Sequence, residues 1–169
     1  MKVINIHKRT LYGPIEKLAA FFMTLATYID LAWPFENCPI LRFKDGLKVG
    51  IKAGHGCIRY TIINFKEDKY AKFMFSKPEG FNGTHEFKII ETLDRNSEII
   101  HEIKMQISTK GTLFWVFIIR WLHDALMEDA FDKVENYFAY NIKKQNIVFG
   151  LNFHEEPTKE NHFKLNTLN

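Results

Sequence analysis

Apolar and polar residues alternate along several stretches of this chain and shift to a three-and-four spacing in two others. Over Lys2 to Leu11 a strand is predicted, with Ile4 and Ile6 on one face and Asn5 and His7 on the other, and Gly13-Pro14 ends it. Pro14 suits the first position of a helix, in which Ile15, Leu18, Ala19, Phe22, Leu25 and Ala26 recur as a buried stripe. That helix breaks near Tyr28 to Trp33. Pro34 and Pro39 then impose extended or turn backbone, and Asp45-Gly46 offers a hairpin turn before Val49 and Ile51.

The middle of the chain reads as a meander of antiparallel strands, because each apolar run ends in a polar turn. Cys57 to Phe65 is followed by the turn Lys66-Glu67-Asp68, then by Lys69 to Ser76. A cluster of Pro78, Gly80 and Asn82-Gly83 leads to His85 to Leu93, and Asp94-Arg95-Asn96-Ser97 marks the next turn. In Glu98 to Ser108, Ile99, His101, Ile103, Met105 and Ile107 share one face, the pattern of a sheet with one wet side. From Thr112 to about Asn141 the period lengthens to that of a helix. Val116, Ile119, His123, Met127, Ala130, Val134 and Tyr137 form its apolar stripe, while Asp124, Glu128, Asp132 and Glu135 lie on the opposite side as a solvated acidic face. Leu113 to Ile119 is apolar all round, so this end is expected to be covered on every side. Residues 144–169 are polar and without clear period apart from Ile147 to Phe153, and are left as a tail of unknown structure.

With 169 residues, 46% apolar and 15% aromatic, the chain has enough apolar area for one core and a surplus of rings that fits a lined cavity. Net charge is +3, with cations scattered among acids, which argues against nucleic acid as a partner. The apolar clusters are too short to span a membrane, so no integral membrane association is expected. Two cysteines, Cys38 and Cys57, make no disulfide framework, and the Met1 end carries no signal-peptide pattern; a cytoplasmic setting is the expectation.

The order of strand, broken helix, meander and long helix resembles the helix-grip fold of the START-like (SRPBCC) superfamily, to which the birch pollen allergen and the polyketide cyclases belong. More closely, the chain resembles bacterial SRPBCC proteins of unassigned function. The resemblance is carried by Trp33-Pro34, by His55-Gly56-Cys57-Ile58-Arg59-Tyr60, by Gly80-Phe81-Asn82-Gly83 with His85-Glu86-Phe87, and by Leu122-His123-Asp124-Ala125-Leu126 with Glu128-Asp129. It implies an α+β domain over residues 1–143, with a curved antiparallel sheet wrapped around the long helix and two short helices after the first strand. It also implies a cavity between sheet and helix for a lipid, fatty acid, isoprenoid or polyketide-like molecule. A monomer or weak homodimer is the expected state. One reaction is not implied, since the fold hosts binders, carriers and enzymes.

Candidate chemistry gathers in a few places. Around Gly50, Gly54 and Gly56, His55, Arg59 and Tyr60 form the lip of a pocket, able to meet a carboxylate or carbonyl, or else a strand entry with Arg59 in water. His123 on the apolar stripe is either a structural histidine or a polar handle shared with His85 or His101, and two converging histidines would permit proton transfer. Phe87, Ile103, Met105, Ile119 and Met127 are the expected apolar walls. No histidine shows the spacing of a zinc motif, and neither a metal nor a cofactor is expected. The leading expectation is therefore a noncatalytic binder or carrier. Its rivals are a cyclase, dehydratase or hydrolase-like enzyme using these His, Arg and Tyr groups as acid and base, and a protein-interaction module.

Overall fold

Six antiparallel strands and one long helix make up most of the computed structural model, which describes residues 1–25, 27, 29–34 and 46–152, the side chains of His55 and of 141–152 excepted. Strands β1 (Lys2–Leu11), β2 (Lys52–His55), β3 (Ile58–Lys66), β4 (Tyr70–Lys77), β5 (Phe81–Glu91) and β6 (Ser97–Ile107) form one sheet in the order β1-β6-β5-β4-β3-β2. Only β1 departs from sequence order. It pairs with β6 from Lys2 opposite Gln106 to Leu11 opposite Ser97. The remaining strands follow one another because their polar turns accept a left-handed residue: Asp68 at φ 60° between β3 and β4, and Arg95 at φ 57° between β5 and β6. Gly83 lets β5 and β6 approach, since a Cβ there would meet the Lys104 carbonyl at 2.2 Å.

Helix α1 (Ile15–Phe22) follows β1 and buries Leu18, Phe21 and Phe22. It stops sooner than its apolar stripe predicts. Thr24 donates its hydroxyl to the Phe21 carbonyl and Thr27 does the same to Thr24, so side chains cap the last carbonyls and the backbone turns. The described residues from Met23 to Pro34 carry no further helix, and Ala26, Pro39 and Asp45 lie outside the described residues. So does Cys38.

The long helix begins three residues earlier than its periodicity indicates, at α2 (Thr109–Phe114), where the Ser108 hydroxyl accepts from the Gly111 amide. A π-helical turn, Trp115–Ile119, joins α2 to α3 (Arg120–Asn152), whose 33 residues span about 50 Å. A π turn inserts one extra residue and rotates what precedes it by about 100°. Hence Trp115, not Val116, is buried there, and beyond it Leu126, Phe131 and Phe138 join Met127, Ala130 and Val134 in the core, while Tyr137 is largely exposed and packs its ring on Phe21. The helix continues through the start of the expected tail as far as Asn152.

Two expectations fail. Leu113, Phe117 and Ile118 are exposed, with Phe117 at 71%, together with Trp121 and Leu122. Among the described residues the sheet covers one side of this end of the helix and nothing covers the other. The acidic residues of α3, for their part, do not face water alone. Strand β1 turns its polar face inward, leaving Ile4 54% exposed, so that Arg9 reaches Glu128, Asp132 and Glu135 and His7 reaches Asp124 and Glu128. The seam between β1 and α3 is therefore ionic. The main apolar core lies further along, where α1, β3, β4 and α3 meet around Phe22, Ile62 and Phe131. A smaller core, around Val3, Phe81 and Trp115, lies towards the start of the helix.

Candidate functional site

Between sheet and helix lies a cavity of about 220 Å³. Alternation on β5 and β6 brings His85, Phe87, His101 and Ile103 to its wall, β3 and β4 add Tyr60, Phe73 and Phe75, and the helix adds Trp115, Ile119, His123 and Met127. Gly56 and Cys57 in the β2–β3 turn and Leu122 on the helix line it while remaining exposed, which places its mouth between turn and helix.

Within this apolar box stands a row of imidazoles. His101 Nε2 lies 3.4 Å from His85 Nδ1, the His101 and His123 rings are 4.9 Å apart, and His123 lies 5.5 Å from His7 on β1. Aromatic faces fix the row from the side: His85 stacks on Phe73 at 4.5 Å and on Phe75 at 5.1 Å, and Phe87 packs on His101 at 4.3 Å. Burial, reinforced by the neighbouring imidazoles of His123, His85 and His7, holds His101 well below the ordinary histidine pKa. Burial also lowers His123, against the opposing pull of Asp124. Both rings are therefore neutral at pH 7. His101 Nδ1 and both His123 nitrogens are buried without a hydrogen-bond partner among the described residues. His123 Nδ1 lies 3.5 Å from Asp124 Oδ1, at the limit of a hydrogen bond. Asp124, for its part, is kept well below the usual carboxylate range by His123, with help from Asn5 and His7 and against burial.

Of the residues singled out from sequence, Tyr60, His85, Phe87, His101, Ile103, Ile119, His123 and Met127 line the cavity together. Met105 is buried beside it in the smaller core. Arg59 points away: its exposed guanidinium donates to the carbonyls of Gly56 at 2.8 Å and Ile58 at 2.7 Å, bracing the β2–β3 turn. The side chain of His55 lies outside the described residues. Phe73, Phe75 and Trp115 were missed, although Phe73 and Phe75 stand two apart on a strand, which is the signal that could have found them. His7 and Asp124 were also missed as neighbours of His123, because their pairing spans 117 residues and no local pattern reports it. Together with His123 they bring three potential ligand atoms within 4.8 Å of one another.

No family model and no curated protein matches the chain. Solved structures do match it. A point mutant of norcoclaurine synthase from Thalictrum flavum, in complex with a transition-state analogue, superposes with TM-score 0.61 at 10% identity over 83% of this chain and 96% of that one. Ginseng major latex-like protein 151 gives 0.57 at 12% identity over 81% and 97%. A START superfamily protein from Mycobacterium smegmatis gives 0.53 at 9% over 81% and 97%. At these identities the likeness establishes the START-like helix-grip fold of this chain.

Proposed function

We propose that this protein binds or carries a compact amphipathic molecule, such as a short fatty acid, an isoprenoid or a polyketide-like ring, in the cavity between sheet and helix. The observation that carries this reading is the placing of buried His85 and His101 and part-buried His123 in a wall otherwise made mainly of aromatic and aliphatic side chains. Apolar contact supplies affinity in such a site, and a few convergent polar groups set orientation. Among the described residues His101 Nδ1 and His123 Nε2 are buried without a hydrogen-bond partner, and a ligand hydroxyl or carbonyl supplies one. Size narrows the choice. A dry cavity of roughly 150 Å³ admits benzene, so this one suits one or two rings or a short chain, and a longer chain has to leave through the mouth beside Cys57 and Leu122.

An enzymatic reading, a cyclase, dehydratase or hydrolase-like reaction, is favoured by one arrangement: His123 faces the cavity with Asp124 behind it, the layout of an oriented acid or base. An interaction-module reading is favoured by the bare apolar side of the long helix at Leu113, Phe117 and Trp121. Native mass spectrometry of freshly purified protein, beside the same sample after denaturing extraction, separates them. A small molecule of defined mass lost on denaturation is the expected result. Protein that stays empty through a challenge with fatty acids and isoprenoids contradicts the carrier reading.

A further inference from the structure

We propose that His7, His123 and Asp124 form a binding site for a divalent transition-metal ion of the zinc type, at the seam where β1 meets α3. Asp124 Oδ1 lies 3.0 Å from His7 Nε2 and 3.5 Å from His123 Nδ1. A tetrahedral ion with bonds of 2.0–2.1 Å spaces its ligands about 3.3 Å apart, so both separations lie close to the required value. All three ligand atoms lie within 4.8 Å of one another. Two histidines and one carboxylate leave a fourth position for water or substrate, as in catalytic zinc sites.

The surroundings are those of a metal site. His7 Nδ1 lies 3.0 Å from Glu128 Oε1, the carboxylate–imidazole pairing that orients a ligating histidine and points its other nitrogen at the ion. Glu128 is itself held by Arg9 at 2.8 Å, and the Asn5 amide donates to Asp124 Oδ1 at 2.8 Å. A cation there also takes up His123 Nδ1, whose approach to Asp124 stays at the limit of a hydrogen bond, and Asn5 Oδ1, buried without a partner among the described residues, is a further oxygen donor on β1. No sequence motif announces the site, because its ligands come from the first strand and the last helix.

The test uses the full chain stripped with a chelator and titrated with Co(II), followed by its visible d–d bands, and with Zn(II) by calorimetry. One equivalent is expected to bind. His7→Gln and Asp124→Asn are expected to weaken binding at least 100-fold, and Glu128→Gln by 10–100-fold, while Cys57→Ser changes nothing. Independently of any variant, ¹⁵N spectra of the unaltered protein are expected to show a metal-bound nitrogen on His7 and on His123 after one equivalent of Zn(II). No binding at millimolar metal, equal affinity in folded His7→Gln, loss of binding with Cys57→Ser, or metal-bound signals on other histidines alone would each overturn the proposal.

Discussion

His101 is the residue on which the cavity's chemistry turns, and its environment makes it a liability to stability. A buried polar group without a partner costs about 1–3 kcal/mol, whereas an apolar ring of similar shape does not carry that cost. His101→Phe is accordingly expected to leave the melting temperature unchanged or raise it by a few degrees, while weakening binding of any ligand that carries a hydroxyl or carbonyl. A fall of several degrees would show that the contact of His101 Nε2 with His85 Nδ1, at 3.4 Å, outweighs the cost of the unpaired Nδ1. The same burial sets a pH dependence. In the folded protein His101 and His123 have pKa values below the unfolded value near 6.5. Below about pH 6.5 the unfolded chain therefore binds protons that the folded chain refuses, and stability falls as pH falls. The slope is at most about 1.4 kcal/mol per pH unit for each such histidine and vanishes above neutrality. Denaturant melts of chelator-treated protein between pH 7.5 and 5 check this, and His101→Phe is expected to reduce the slope by about one histidine's share.

Among the elements, the join of β1 to α3 sets this molecule apart from a simple apolar sandwich. Arg9 contacts three carboxylates that are each about half exposed, so the cluster is discounted to the value of surface pairs, roughly 0.2–1 kcal/mol each. Arg9→Met is expected to cost about 1 kcal/mol in low salt and less in 1 M NaCl; a cost indifferent to salt would mean that packing, not charge, holds the seam. Gly83 is a sharper case. A methyl group there meets the Lys104 carbonyl and the Met105 Cα, so Gly83→Ala has to part β5 from β6 and is expected to destabilise by at least 2–3 kcal/mol in a urea melt. These elements also show what could be read beforehand. The alternation on β6 gave His101, Ile103 and Met105 their common face, and the two-residue rhythm placed the strands. Residues Ile4 and Ile6 misled on β1, because charges on a distant helix drew the polar face inward. The π turn misled on the helix, since a 3.6-residue period cannot anticipate an inserted residue.

On the scale of the whole molecule, the fold was legible and the site only partly so. A strand, a meander and a long helix in this order leave few ways to bury their apolar faces, and pairing of β1 with β6 completes the grip. The cavity followed from the faces: most of the expected wall residues meet in it. Arg59 did not, because the glycine-bounded β2–β3 turn gave its guanidinium two nearer carbonyls. Phe117 and Trp121 are exposed on the same stretch of helix as Leu122 at the cavity's mouth. Replacing both Phe117 and Trp121 by Ser is expected to shift stability by no more than about 1 kcal/mol, at about 0.5 for each, while lowering any self-association in sedimentation and binding of an apolar dye. The central claim, that the imidazole-lined cavity takes an amphipathic ligand, is tested most directly by following histidine ring resonances during titration with a medium-chain fatty acid and with a two-ring phenol. The account predicts that His85, His101 and His123 shift together and saturably with at least one of them. Shifts confined to exposed residues, or none at all up to millimolar ligand, would contradict it.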